Sequence, residues 1–417
     1  MSNKFFPIKN DAACVFKWGW NTFRLHDATS SSCHRVQPVH IELDNFDNFH
    51  NTPAAIEDRQ RMLNNQWPQA GRGCEYCKDI EDLGGVSDRT FHNNISELTP
   101  VDFDINTNQV TPRILEIYLS NTCDLACVYC MPIFSSRIND ELKRYGPTPV
   151  GLQYISPLTN RAEYLNKFLA WLDKNYSKIK RLSIQGGEPL LQKELSRFLE
   201  FMEQHQNSTL EVTINSNLNC KTNRLKEFVE FSKRLIEKKK IRRLDINCSL
   251  DCWGPQAEFL RYGLNLATWE KNFEYLITNR WLTINVQHVL TSLSIFTTKD
   301  LQDKISEYKK INPNITQAYH IVDGANEIVY RPEIFGGEFY SEYLDELVAT
   351  YPIVREWDNN AKQRLEGLAK LIKSSTPNIE RLKMFKATLD QLDFRRKTNW
   401  RELFPKIDEY FNSNGIK

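Results

Sequence analysis

The residues with the most evident chemistry are three cysteines in the stretch NTCDLACVYC: Cys123, Cys127 and Cys130, spaced Cys-x3-Cys-x2-Cys. Thiolates are the usual ligands of iron–sulfur clusters, and a short loop can wrap three of them around one four-iron cube. Three ligands for four irons leave one iron with an open position. A structural zinc site would want four ligands and closed coordination, and no fourth Cys or His stands nearby in this loop. The competing reading is three buried or zinc-binding cysteines. A second signal lies downstream in IQGGEPLL: Gly186, Gly187, Glu188 and Pro189. Two glycines allow a ligand to approach the backbone closely, and the carbonyls so exposed can accept hydrogen bonds from an ammonium group. Alone, Gly-Gly-Glu-Pro would be an ordinary turn.

The elements that must position these residues follow from periodicity. From about residue 110, short apolar strands alternate with amphipathic helices. Strands are expected at 113–120, 181–185, 210–216, 242–250, 282–290 and 316–322, with helices at 163–176, 194–205, 224–239, 268–279 and 298–310. Strict alternation of this kind predicts a parallel sheet with helices outside it. The cysteine loop would follow the first strand and Gly-Gly-Glu-Pro the second, at the carboxyl ends where such sheets bind ligands. Asn215, Ser216 and Asn217 end the third strand, and Ser249 and Asp251 the fourth, with Arg261 ten residues on. Each of these also reads as a turn residue or a surface charge. Residues 1–105 are turn-rich with one helical stretch, AAIEDRQRMLNNQW, and residues 336–417 read as mainly helical. The expected architecture is α/β: a partial (β/α)6 TIM-like barrel at 106–330, a small N-terminal domain at 1–105, and a helical C-terminal segment at 331–417.

CDLACVYC, with an aromatic residue before its last cysteine, resembles the signature of the radical S-adenosylmethionine (SAM) superfamily. The resemblance implies that Cys123, Cys127 and Cys130 hold a [4Fe–4S] cluster whose open iron chelates SAM. It implies reductive cleavage of SAM to a 5′-deoxyadenosyl radical that abstracts hydrogen from substrate. Gly186–Pro189 match the family motif that receives the SAM amino group. Asn215–Asn217 and Ser249 match positions near the ribose, and Arg261 one that approaches the carboxylate. The N-terminal cysteines, Cys14 ahead of VFKWGW, Cys33 in SSSCHR, and Cys74 and Cys77 in RGCEYCKDIEDLGG, resemble the auxiliary-cluster module of twitch-domain members, shortened relatives of the SPASM domain. The ending LDFRRKTNWRELFPKIDEYF resembles that family's C-terminus. The resemblance implies a second [4Fe–4S] cluster on Cys14, Cys33, Cys74 and Cys77. The same four residues would also suit zinc, and with Ser32 where the module more usually has Cys, His34 is an alternative ligand.

Three more cysteines, Cys220, Cys248 and Cys252, are scattered through the middle. Cys248 and Cys220 read as packing residues. Cys252, just past the fourth strand, is a weak candidate for a hydrogen donor to a substrate radical. His288 and His320 read as core or rim residues. The basic run KRLIEKKKIRR reads as a solvated helix end. The long connection at 131–160 suggests a lid.

The bulk composition sets limits. Lys plus Arg number 54 and Asp plus Glu 53, so nothing points to wholesale nucleic-acid binding. No apolar run reaches membrane-spanning length, and the N-terminus lacks a signal peptide's apolar stretch. A cytoplasmic location is therefore expected, in which clustered cysteines bind metal rather than form disulfides. The family resemblance points to a peptide or protein side chain as substrate, with a small molecule such as an aminocyclitol or nucleotide precursor as the alternative, and to flavodoxin or ferredoxin as electron donor. A non-catalytic zinc or iron–sulfur protein is the contrasting class.

Overall fold

A computed structural model describes residues 10–82, 84, 87–95, 109–322 and 327–416. The extreme N-terminus and the expected boundary between residues 105 and 106 lie outside these. The strands, in chain order, are β1 (Trp20–Arg24), β2 (Thr29–Ser31), β3 (Val39–His40), β4 (Ile114–Tyr118), β5 (Ala126–Cys127), β6 (Arg181–Gln185), β7 (Glu211–Ser216), β8 (Arg243–Ser249), β9 (Arg261–Tyr262), β10 (Thr283–Leu290) and β11 (Ile315–Ile321). The helices are α1 (Val15–Gly19), α2 (Pro53–Leu63), α3 (Glu75–Asp82), α4 (Asp88–Ile95), α5 (Ser136–Tyr145), α6 (Arg161–Asn175), α7 (Lys193–Gln204), α8 (Thr222–Glu237), α9 (Pro255–Leu260), α10 (Leu266–Ile277), α11 (Ile295–Ile311), α12 (Glu327–Tyr330), α13 (Ser341–Ala349), α14 (Trp357–Lys373), α15 (Ile379–Arg396), α16 (Trp400–Leu403) and α17 (Pro405–Ser413).

The six expected strands are β4, β6, β7, β8, β10 and β11, and they pair in parallel in chain order. Their alternation decides which face each residue takes. In β10 every second residue is buried, and Leu115, Ile117, Leu182, Ile184, Val212, Ile214, Leu244, Ile246, Ile284 and Val286 join one core with the helices. Helix α6 closes that core through Tyr164, Leu165, Phe168, Trp171 and Leu172, an i, i+1, i+4, i+7, i+8 stripe. The opposite face is polar and half-buried.

Among the described residues the sheet has nine strands rather than six, in the order β11-β10-β8-β7-β6-β4-β1-β2-β3. The N-terminal segment supplies the extra three, and β1 pairs in parallel with β4, Arg24 opposite Tyr118. The sequence hides this because WNTFR carries two large apolar residues three positions apart, out of strand alternation, and only one of them joins the main core. That residue, Phe23, is fully buried and stacks on Phe168 of α6 at 6.0 Å between ring centroids. The described N-terminal residues are thus built onto the sheet, not set apart from it. The C-terminal helices pack on the far edge, α14 against β11 and α13 against α11. They are held there by a buried ion pair of Lys309 with Asp358 at 2.6 Å.

Replacing Phe23 with Ala is expected to destabilise the protein by about 3–5 kcal/mol. Followed by circular dichroism in denaturant, it should shift the main unfolding transition. A separate early transition with the main one unmoved would mean that the N-terminal segment folds alone.

Candidate active site

The parallel register of β4 and β6 brings their C-terminal loops side by side. Glu188 donates its backbone N–H to the carbonyl of Thr122 at 2.8 Å, tying the glycine turn to the cysteine loop. A Cβ on Gly187 would lie 2.1 Å from the Thr122 carbonyl oxygen, and one on Gly186 2.8 Å from that of Ser120. Both glycines also have positive φ, 88° and 51°, a region L-residues seldom enter. Each is therefore required twice over, by space and by backbone conformation.

The cysteine loop opens on a cleft of about 270 Å³. Its walls include Cys123, Cys127 and Cys130, Gly186 and Gly187, Asn215, Ser216 and Asn217, Ser249 and Arg261. The expected residues from four different strand ends thus share one cavity. Tyr118, Leu125, Tyr129, Phe134, Ser135, Gln185 and Val289 complete it. Burial pushes all three thiols up, Cys130 to about 12. Cys127 is opposed in this by the charge of Arg261.

Glu188 and Pro189 do not line the cleft. Both are buried beneath it, and Glu188 acts as a brace. Its carboxylate accepts from the Leu190 N–H at 3.1 Å, the Ser216 hydroxyl at 2.9 Å and the Asn217 N–H at 2.6 Å. Burial outweighs these donors and raises its pKa to about 7. Arg261 also differs from expectation. Its guanidinium fork is filled by Asp251, Nε at 3.0 Å and Nη2 at 2.8 Å, while Nη1 lies 4.0 Å from the sulfur of Cys127. Asp251 accepts in addition from the Tyr129 hydroxyl at 2.7 Å and the Val289 N–H at 3.1 Å. The antiparallel pairing of β5 with β9, Cys127 opposite Arg261, sets this geometry. Arg261 is thus committed to an internal carboxylate.

Cys252 is fully buried and absent from the cleft walls, as is Cys248, while Cys220 packs in the same core. Cys252, the weak candidate for a hydrogen donor, is thus not brought into the cleft with the other expected residues. His288 stacks on Tyr319 at 4.5 Å, and burial lowers it to about 3. It is a neutral core residue. His320 bonds Gln287 at 2.6 Å. In the basic run, Arg242 and Arg243 pair with Glu211. The 131–160 connection contains α5, whose Ser135 N-cap accepts from Ile138 N–H at 3.3 Å and donates to the Leu125 carbonyl at 2.7 Å. Arg396 reaches Glu141 at 3.0 Å, and Arg395 reaches the carbonyls of Gly146 and Pro147 at 2.9 and 2.8 Å. This segment therefore braces the back of the cysteine loop, and only Phe134 and Ser135 enter the cleft wall.

Several residues here carry no motif that would single them out. Gln192 donates to the carbonyls of Gly186 at 2.6 Å and of Ser120 and Thr122 at 3.2 Å. Asp124 accepts from Asn217 at 2.9 Å and Asn219 at 2.7 Å, linking the cysteine loop to the end of β7. Asp124 stands inside the cysteine motif, which is the one available signal.

A second cavity is lined by Cys14, Cys33, Cys74 and Cys77 together. Cys14 caps α1, Cys33 follows β2, and Cys74 and Cys77 bracket the start of α3. The side chains of Lys17, Arg35 and Arg89 join the walls, and Lys17 is paired with Asp58 at 2.6 Å, both buried. Burial raises the thiols of Cys14, Cys74 and Cys77, Cys74 to about 11. His34 lies outside this lining, with Nδ1 3.9 Å from Cys33 sulfur and Nε2 3.3 Å from Asp88. Among the described residues, no three His, Cys, Asp or Glu side chains converge as a single-ion site in either cavity.

No family model and no curated protein matches the chain. Among solved structures it is similar to native anSMEcpe with bound AdoMet, at 16% identity and a TM-score of 0.37, over 65% of each chain. The same protein with bound AdoMet and the Kp18Cys peptide gives 15% identity and a TM-score of 0.32, over 65% of this chain and 64% of that one. Streptococcus suis SuiB gives 13% identity and a TM-score of 0.36, over 90% of this chain and 69% of that one. The chain thus spans just under two thirds of the length of the two anSMEcpe chains.

Replacing Glu188 with Ala would leave three buried donors without an acceptor, a loss of about 3 kcal/mol or more. A lowered denaturant midpoint with unchanged slope is the expected result, and Glu188→Gln should be milder because one oxygen remains.

Proposed function

We propose that this chain is a radical SAM enzyme, and the observation that carries the proposal is the single cleft shared by Cys123, Cys127, Cys130, Gly186 and Gly187. The donor set fits a [4Fe–4S] cluster with an open iron. The three thiols come from one loop, no fourth cysteine lines the cleft, and no single-ion site is formed among the described residues. Cys123, Cys127 and Cys130 would hold the cluster, which with SAM bound would supply the electron for reductive cleavage of SAM. The chain's own residues bind and orient. Gly186 and Gly187 offer close backbone approach, Asn215, Ser216, Asn217 and Ser249 offer hydrogen bonds to a ribose, and Arg261 sets the charge beside Cys127. Since Asp251 occupies its fork, Arg261 acts on the cluster side and leaves the SAM carboxylate to other donors.

The N-terminal cavity is proposed to hold a second [4Fe–4S] cluster on Cys14, Cys33, Cys74 and Cys77. Four thiolates give such a cluster net negative charge; Lys17, Arg35 and Arg89 stand in its walls, ion-paired with Asp58, Asp88 and Glu81 respectively. It would accept an electron from the substrate or orient it. The segments 1–105, 106–330 and 331–417 then serve as auxiliary-cluster, SAM-binding and C-terminal bracing parts.

The proposed substrate is a peptide or protein side chain, with an oxidoreductase or maturase outcome. The open polar face of the sheet supports it. Asn247 donates to Asn215 at 2.6 Å, Asn285 to Asn247 at 3.4 Å and Thr316 to Asn285 at 3.0 Å, a row of hydrogen-bonding groups across four strands. No helix among the described residues is long and apolar enough to cross a membrane. Action in the cytoplasm, with flavodoxin or ferredoxin as donor, completes the reading.

Anaerobically reconstituted protein should bind about eight irons per chain, and about four once the N-terminal cysteines are replaced by Ala. Stoichiometric zinc with about four irons would remove the second cluster. Reduced protein mixed with SAM should release 5′-deoxyadenosine, and Cys127→Ala should abolish it. An intact cluster yielding none would overturn the enzymatic reading in favour of a non-catalytic metal protein.

A further inference from the structure

Strand β1 and the turn that follows it carry two groups that none of the readings above employs. Arg24 ends β1 opposite Tyr118 of β4, on the same polar face and at the same carboxyl end as the cleft. It is half-buried, its Nη1 has no hydrogen-bond partner, and it forms no ion pair among the described residues. Its guanidinium carbon lies 5.5 Å from the centre of the Tyr118 ring. Two residues on, His26 is 9% exposed, and both of its ring nitrogens lack a partner. His26 packs edge-on against Tyr118 at 6.3 Å and Phe134 at 6.1 Å, two residues of the cleft wall. Neither Arg24 nor His26 lines the cleft itself. They stand directly behind its Tyr118–Phe134 wall.

Nearby charges do not satisfy them. Glu116 spends its oxygens on the Thr22 hydroxyl at 2.8 Å and the Gln185 amide at 3.1 Å. Asp27 accepts from the Thr29 N–H at 3.2 Å and hydroxyl at 2.8 Å through one oxygen. Arg161 is bonded to Ser120 at 3.0 Å and paired with Glu194 at 2.7 Å. Burial, opposed by the charge of Asp27 and aided by those of Arg24 and Arg161, lowers His26 to about 4. Buried polar groups are seldom left without partners, and an unpaired guanidinium is a fork suited to two oxygens of one anion.

We infer that Arg24 and His26 form an anion subsite that holds a carboxylate or phosphate of the substrate beside the cysteine cleft. Arg24 supplies two parallel N–H donors and the charge. His26, as the tautomer that faces the anion with N–H, supplies a third donor. The substrate consequently bears an anionic oxygen group a short reach from the atom that reacts, such as an acidic peptide side chain or a phosphate ester. The substrate part of this inference rests on the proposed function, but the anion site does not.

The test uses the full-length, cluster-loaded protein with its histidines labelled with carbon-13. The His26 signal is identified by its loss in His26→Asn. Inorganic phosphate and acetate are titrated separately at constant ionic strength, with chloride as control. A saturable His26 shift with phosphate assigns the site to a phosphate, and one with acetate alone assigns it to a carboxylate. Arg24→Gln should weaken either by tenfold or more, and Arg24→Lys by less, with thermal midpoints confirming that each variant is folded. If Gln at this position prevents folding, the comparison of Lys with the native residue carries the test. No saturable shift with either anion, or shifts unaffected by both Arg24 variants, would overturn the inference. Release of 5′-deoxyadenosine by the same preparation is scored separately, so failure of the anion site and failure of the radical SAM reading give different results.

Discussion

The site depends on the contact between two loops, the cysteine loop after β4 and the glycine turn after β6. The Glu188 N–H meets the Thr122 carbonyl at 2.8 Å, and Gly186 and Gly187 leave no room for a side chain. This contact needs the two strands to be parallel and adjacent, so that their carboxyl ends coincide. It also needs the loops to hold their shape once they meet. Glu188 supplies that by gathering the start of its own short helical turn and the end of β7 onto one buried carboxylate. The three strand ends are thereby locked to each other, and the cysteines inherit their position from that lock.

A second brace acts from the other side. Asp251 gathers Tyr129, Arg261 and the backbone of Val289, and so links the cysteine loop to the ends of β8 and β10. Removing one partner from such a buried pair leaves an uncompensated charge, which is the expensive case. The arrangement has a consequence for chemistry. A cation held 4.0 Å from the Cys127 sulfur favours the thiolate and any negative charge that gathers on a group bound there. Helix α15 adds Arg396 behind the same loop, through Glu141 of α5. The C-terminal segment is thus part of the support of the site, though it contributes no residue to the cleft.

Much of this was legible in the chain. Apolar alternation gave strands that the structure reproduces to within a residue or two, as at Arg181–Gln185. Motif spacing located the cleft residues, because thiolates and a double glycine are chemically distinctive and rarely interchangeable. What stayed hidden depended on tertiary contacts. Strand β1 has its two large apolar side chains, Trp20 and Phe23, out of strand alternation, so only the docking of Phe23 on Phe168 reveals it as part of the sheet. The role of Arg261 turned on Asp251, a residue ten positions away whose orientation no periodicity fixes. Gln192 is one glutamine among many until its amide is seen between three carbonyls. The four N-terminal cysteines fall between: their types suggested a common site, and the cavity they share gathers cysteines up to 63 positions apart.

The central claim is that Cys123, Cys127 and Cys130 hold a cluster whose fourth iron is open to SAM. Electron paramagnetic resonance of the reduced protein, with the N-terminal cysteines replaced by Ala so that one cluster remains, tests it most directly. The account predicts a [4Fe–4S]⁺ signal whose g-values change when SAM is added. A signal that SAM leaves unaltered, or a fully assembled site with no iron signal and stoichiometric zinc, would contradict it.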